Sequence, residues 1–129
     1  MNKFLIFLKK HWISIPLCLV ILYLCLMNTE PLPKVGMTNF DKMVHFSMFL
    51  TVSLVVFFEN TYYFKRRISV GKMLYFSFFF PTIYSGLIEI MQEHLSPTRS
   101  GDWMDFLFDG LGAFLGFIVC LAINRKIKV

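Results

Sequence analysis

Four apolar stretches dominate this chain, at residues 12–27, 43–58, 73–91 and 103–123. The hydrocarbon core of a bilayer is about 30 Å thick and takes roughly 20 apolar helical residues to cross, fewer where flanking side chains snorkel. Each stretch approaches that length. Hydrophobic residues make up 57% of the 129 positions, more than a soluble domain of this size could bury. The expected fold is therefore all-α: a single transmembrane domain over residues 1–129, built as a four-helix bundle with no catalytic domain outside the membrane. Lys3, Lys9 and Lys10 before the first stretch imitate a secretory signal, but no small-x-small cleavage site follows, so an uncleaved anchor helix is expected. Cys18, Cys25 and Cys120 all fall inside apolar stretches and read as small packing residues rather than a disulfide framework.

The breaks carry their own signals. Pro31-Leu32-Pro33 stops the first helix, and Thr38-Asn39-Phe40-Asp41 has the spacing of a capping box that starts the second. Lys65-Arg66-Arg67 marks a solvated loop. Ser96-Pro97 and Ser100-Gly101 mark the last turn, with Asp102 as N-cap of the fourth helix. Pro81 and Gly86 are expected to kink the third helix and open space beside Glu89.

Basic residues set the expected orientation. The N-terminus, the middle loop and the tail together carry ten basic residues and one acid, Glu59. The opposite side carries three basic residues, Lys34, Lys42 and Arg99, and seven acids. By the positive-inside rule both termini are expected to be cytoplasmic, in a multi-pass membrane protein. The net charge of +5 is thus topological and points to anionic lipid headgroups, not to nucleic acid.

Ionisable residues inside the spans gather at the acidic end. Asp41 and His45 are i,i+4 neighbours on one helix face, and Glu89 and Gln92 are i,i+3. Asp102, Asp105 and Asp109 share a stripe that Gly112 and Gly116 continue, the latter two a ridge for close helix packing. Carboxylates cannot face lipid, so these stripes should turn inward and form a polar pocket of Asp41, His45, Glu89, Gln92, Arg99, Asp105 and Asp109. Carboxylates crowded in a low dielectric cannot all stay ionised: protons, a bound cation or Arg99 must balance them. Asp41 and Asp102 also read as helix caps, and His45 as a packing residue, a proton carrier or a metal ligand. Glu89, Asp105 and Asp109 are harder to explain as packing, since a carboxylate at mid-span costs about 2.5–3.5 kcal/mol on insertion scales. Glu93 and His94 lie near the loop and are expected to meet water. No phosphate-binding glycine loop, HExxH or activated nucleophile is visible.

These residues resemble a known pattern. Asp41-Lys42-x-x-His45-Phe46 is similar to the opening motif of VanZ-like membrane proteins. Glu89-x-x-Gln92, Arg99, Asp105 and then Gly112-Ala113-x-x-Gly116 are similar to that family's second block. The family's usual Asn falls on Asp109, which adds a carboxylate and favours a cation or a shared proton. The resemblance implies a small polytopic envelope protein, expected in the bacterial inner (cytoplasmic) membrane; the family's namesake is associated with resistance to teicoplanin.

Three functions follow as expectations. The first is an outward pocket that binds or modifies an amphiphilic ligand: a cell-wall precursor, a lipid headgroup or a glycopeptide antibiotic. Its apolar walls would take the tail and its polar residues the head. An enzymatic version would use Glu89 or Asp105 as general base, with His45 or Arg99 stabilising developing charge. The second is a proton- or cation-coupled transporter, which four short helices would build as a homo-oligomer. The third is a structural or interaction module in which the polar cluster only fixes helix order.

Overall fold

The computed structural model describes residues 2–27, 38–96, 98 and 101–128, and among these every regular element is helical. In chain order they are α1 (Lys3–Lys10), α2 (Ser14–Leu26), α3 (Thr38–Phe64), α4 (Val70–Leu74), a π-helical turn (Tyr75–Phe79), α5 (Phe80–Leu95) and α6 (Trp103–Lys126). Three rods are long and apolar enough to cross a membrane: Phe40–Phe64, Val70–Leu95 and Trp103–Lys126. The fourth candidate is the α1–α2 pair, bent by 72°. The expected stop at Pro31-Leu32-Pro33 lies outside the described residues, as do the capping side chains of Thr38 and Asn39.

The distribution of side chains is that of a protein dissolved in lipid. Leu19, Val20 and Tyr23 of α2, Ile83, Leu87 and Ile90 of α5, and Leu111, Phe114 and Ile118 of α6 are exposed. Buried inside are His45, Ser53, Asn60, Ser77, Ser85, Glu89, Gln92, Asp105, Asp109 and Asn124. In water this arrangement would leave a continuous apolar surface uncovered; in hydrocarbon it is what polar groups require.

The helices alternate in direction, so Asp41, Glu89 and Asp102 share one end of the bundle, and Glu59, Ile68 and Asn124 the other. We call these the acidic and the basic end. α3 and α6 share the most extensive contact. Their approach depends on Gly112 and Gly116. A Cβ at Gly112 would overlap the carbonyl oxygen of Phe46, and one at Gly116 would stand 2.5 Å from Ser53 Oγ. Ala113, fully buried, lies between them on the same ridge. Gly86 acts the same way toward α6, where a Cβ would meet the Phe106 ring at 3.3 Å. It is therefore a packing glycine, and the irregularity of the third rod lies earlier, in the π-helical turn ahead of buried Pro81. Ser53 Oγ donates to the carbonyl of Ser77 within that turn at 2.5 Å, tying α3 to it.

The first span differs from the uninterrupted helix expected over residues 12–27. The helix restarts at Ser14 because Glu59, from α3, bonds the backbone there. Glu59 Oε1 accepts from Ile13 N at 2.6 Å and Ser14 N at 2.9 Å. Glu59 Oε2 accepts from Ser14 Oγ at 2.6 Å and lies 3.1 Å from His11 Nδ1. A helix N-terminus has orphan N–H groups, and a carboxylate is their best partner where water is scarce. At the other end Gln92 Nε2 donates to the carbonyl of Cys25 at 2.9 Å. α2 is thus held at both ends by neighbouring helices. Its 13 residues span only about 20 Å, less than a full hydrocarbon core. Ahead of it, α1 buries no side chain and leaves Phe4, Leu5 and Phe7 exposed beside Lys9 and Lys10, the make-up of a helix lying among headgroups. Lys10 Nζ sits over the rings of Phe64 and Phe76, at 4.8 Å and 5.0 Å.

The basic end is closed by Asn124, whose side chain donates to Ile68 O at 2.8 Å and accepts from Ile68 N at 3.1 Å. Arg67 Nε donates to the carbonyl of Asn124 at 3.0 Å, near the C-terminus of α6. The three cysteines are free, with Cys25 and Cys120 buried in the apolar core, as packing residues should be.

Two substitutions test this packing. Gly112→Ala forces α3 and α6 apart and should cost about 1–3 kcal/mol. Gly110→Ala, where a Cβ meets nothing within 4 Å, should be neutral or gain up to about 1 kcal/mol of helix propensity. Thermal unfolding of the detergent-solubilised protein reads both. Glu59→Ala orphans the first turn of α2 and should lower stability by about 1–3 kcal/mol, with faster amide exchange at Ile13 and Ser14.

Candidate functional site at the acidic end

Three helices place their polar stripes against one another near the acidic end. α3 contributes Asp41, Lys42 and His45 from its first two turns. α6 contributes Asp102, Asp105 and Asp109, and α5 contributes Ser85 and Glu89. The N-terminus of α6 is set by Asp102, whose side chain accepts from Met104 N at 2.9 Å as the expected N-cap. Asp41 stands in the first turn of α3 rather than at its cap, where its charge suits the helix dipole.

His45 is the centre of the cluster and is 2% exposed. Its Nδ1 lies 3.0 Å from Asp109 Oδ1, and its Nε2 lies 3.8 Å from Asp105 Oδ2. Asp109 is fully buried, and its second oxygen accepts from Ser85 Oγ at 2.5 Å. Lys42 Nζ reaches Asp102 at 3.8 Å and Asp105 at 3.9 Å, a cation at the rim. Glu89 Oε2 accepts from the backbone N–H of Asp102 at 2.8 Å, and Glu93 Oε2 accepts from Gly101 N at 2.8 Å. α5 thereby fixes the chain that enters α6. Glu93, expected only to meet water, has this structural bond.

Asp41, His45, Glu89, Asp105 and Asp109 therefore come together. Gln92 does not join them: it is buried, but it turns to α2 and bonds Cys25 O. Arg99 lies outside the described residues. One member was missed from the sequence, Ser85; Lys42 was read there as a basic residue of this end and joins the cluster at its rim. Ser85 lies four residues before Glu89 on a helix otherwise apolar there, and that spacing was its one signal. Two sets of side chains have ligand atoms close enough to share a metal ion: His45, Glu89 and Asp109, all buried, and Asp41, His45 and Asp105.

Beside the cluster a groove of about 540 Å³ runs between α5 and α6. Gly86, Ile90, Trp103 and Phe106 line its apolar part, and Glu89, Glu93, His94 and Asp102 its polar part. Apolar walls leading to carboxylates at one level suit a molecule with a tail and a hydrogen-bond-donating head.

The VanZ/LLP1 family model matches residues 4–124, nearly the whole chain. The chain belongs to the VanZ/LLP1 family. No curated protein and no solved structure matches it. The family match spans the polar cluster, the glycine ridge and α1 alike, so this VanZ/LLP1 protein carries its acidic-end site within the family's own domain.

Ser85→Ala tests the geometry at Asp109. It leaves Oδ2 without its donor in a buried site and should lower stability by about 1–3 kcal/mol. Thr82→Ala, one turn away on the same helix, removes only a bond to the carbonyl of Phe78 and should cost less. Parallel thermal melts of the two variants check the difference.

Proposed function

We propose that this VanZ-family membrane protein takes an amphiphilic ligand of the bacterial envelope into the groove between α5 and α6. The observation that carries the reading is the groove itself, apolar along Gly86, Ile90 and Phe106 and carboxylate-lined at Glu89, Glu93 and Asp102. In the sequence, ten basic residues in the segments of one side against seven acids in those of the other favour an orientation with the groove opening outward from the cytoplasmic membrane. A ligand tail then lies in the outer leaflet and its head meets the carboxylates. Those carboxylates favour heads rich in amines, amides and hydroxyls, the groups that a glycopeptide antibiotic or a peptide-bearing cell-wall precursor presents. Bare phosphate heads are disfavoured unless a cation bridges them.

Binding accounts for protection by occupying the ligand. A chemical step would use Glu89 as the base, since it both lines the groove and belongs to the His45 cluster. The transporter reading is less well supported. Glu59, the acid at the basic end, is saturated by the backbone of Ile13 and Ser14 and by the side chains of Ser14 and His11, and so has no free valence for a travelling ion.

Growth inhibition by teicoplanin, which carries an acyl tail, and by vancomycin, which has none, tests the proposal. Susceptible cells would express wild-type protein, Glu89→Gln or Asp105→Asn at matched membrane abundance. The expected result is protection against teicoplanin by the wild type, weaker protection against vancomycin, and loss in both variants. Equal growth inhibition with and without the wild-type protein would overturn the glycopeptide reading.

A further inference from the structure

We propose that His45, Glu89 and Asp109 hold a divalent transition-metal ion, of the Zn2+ or Mn2+ class that imidazole and carboxylate ligands select. This deepens the reading above, and rests on it only in taking the acidic-end cluster as a working site. The three side chains come from α3, α5 and α6, are all buried, and offer ligand atoms within 4.8 Å of one another. Two ligands of one tetrahedral ion with bonds of about 2.0–2.1 Å stand roughly 3.3 Å apart. His45 Nδ1 and Asp109 Oδ1, hydrogen-bonded at 3.0 Å, would need to part only slightly to reach that spacing.

Glu89 supplies the independent observation. Its side chain is buried, and Oε1 has no hydrogen-bond partner among the described residues. The other oxygen accepts from Asp102 N at 2.8 Å, which holds the carboxylate beside the cluster. An unpaired carboxylate oxygen inside a membrane bundle is costly, and a cation shared with His45 and Asp109 removes that cost.

The surrounding contacts are those of a metal site's outer shell. Ser85 Oγ holds Asp109 by its second oxygen at 2.5 Å, and Asp102 N holds Glu89. With Nδ1 as ligand, Nε2–H of His45 lies 3.8 Å from Asp105 Oδ2, beyond hydrogen-bond range but near enough for the carboxylate's charge to favour the liganded ring. The alternative set, Asp41, His45 and Asp105, also has a buried oxygen without a hydrogen-bond partner, Asp105 Oδ1, but Lys42 Nζ stands 3.9 Å from it as a counter-charge and Asp41 is only half-buried. Three protein ligands leave a coordination position for water or a ligand head, as in catalytic rather than structural zinc sites. A bound cation would also let the groove accept an anionic head that bare carboxylates repel.

The test uses the full chain, purified in detergent without a polyhistidine tag, stripped with chelator and equilibrated with Zn2+ or Mn2+. After desalting, metal is counted per chain. The expected result is one ion per chain in the wild type and in His94→Gln, a control for adventitious binding at the exposed acidic end. His45→Gln and Glu89→Gln should retain none, and Ser85→Ala should bind roughly 10–100-fold more weakly. Glu89→Gln guards against a folding artefact: it keeps an acceptor for Asp102 N and sets an amide donor near Asp109, so it folds with or without metal. A wild type that retains neither ion, or unchanged stoichiometry in His45→Gln and Glu89→Gln, overturns the proposal. Teicoplanin protection that survives without metal would remove the ion and leave the groove reading, whereas bound metal without protection would do the reverse.

Discussion

The close approach of α3 and α6 is the contact on which the rest of this structure depends. In hydrocarbon, helices gain no hydrophobic drive from meeting, so their association rests on van der Waals fit and on interior hydrogen bonds. Gly112 and Gly116 allow the fit, letting the backbone of α6 lie against Phe46, Leu50 and Ser53 of α3. The same approach sets His45 beside Asp109 one turn away. Packing and polar cluster are therefore one construction: a side chain on the glycine ridge would move the carboxylates away from the imidazole.

The two ends of the bundle use ionisable groups differently. At the basic end Glu59 is saturated, with each oxygen bonded to donors at the start of α2. It behaves as a structural cap delivered from another helix. At the acidic end, among the described residues, the carboxylates outnumber the cations beside them. Lys42 and His45 serve three aspartates between them, and Glu89 keeps an oxygen with no bond among the described residues. Low dielectric strengthens satisfied polar networks and penalises incomplete ones. The incomplete end, not the complete one, is thus where a ligand or ion has something to gain.

α2 shows how a short helix is kept in a membrane protein. It is apolar nearly all round and has no side-chain cap of its own, yet both ends are bonded, by Glu59 and by Gln92. Tyr84 also donates its hydroxyl to the Cys18 carbonyl at 2.5 Å, pinning its middle. Such bonds replace the water that helix ends find outside a bilayer. They also explain the break at residues 11–13, which apolar length alone does not reveal.

The all-helical class and the facing of the helices were legible in the sequence, because apolar runs mark candidate spans and a 3.6-residue period assigns faces. On that basis alone Asp41, His45, Glu89, Asp105 and Asp109 were set at one end and turned inward, and Gly112 and Gly116 onto a packing ridge. The period says which face a residue occupies but not which helix lies opposite. Glu89 and Gln92 are one turn apart and were read as one site; their slightly different angles point Glu89 to the N-terminus of α6 and Gln92 to the end of α2. Likewise Glu59 read as a lone acid among basic residues until the fold brought His11, Ile13 and Ser14 onto it. What the sequence by itself determined was a membrane bundle with a buried acidic end. Which side chains pair there was decided by the tertiary structure, since pairing depends on how helices rotate and neighbour one another, and only interhelical contact sets that.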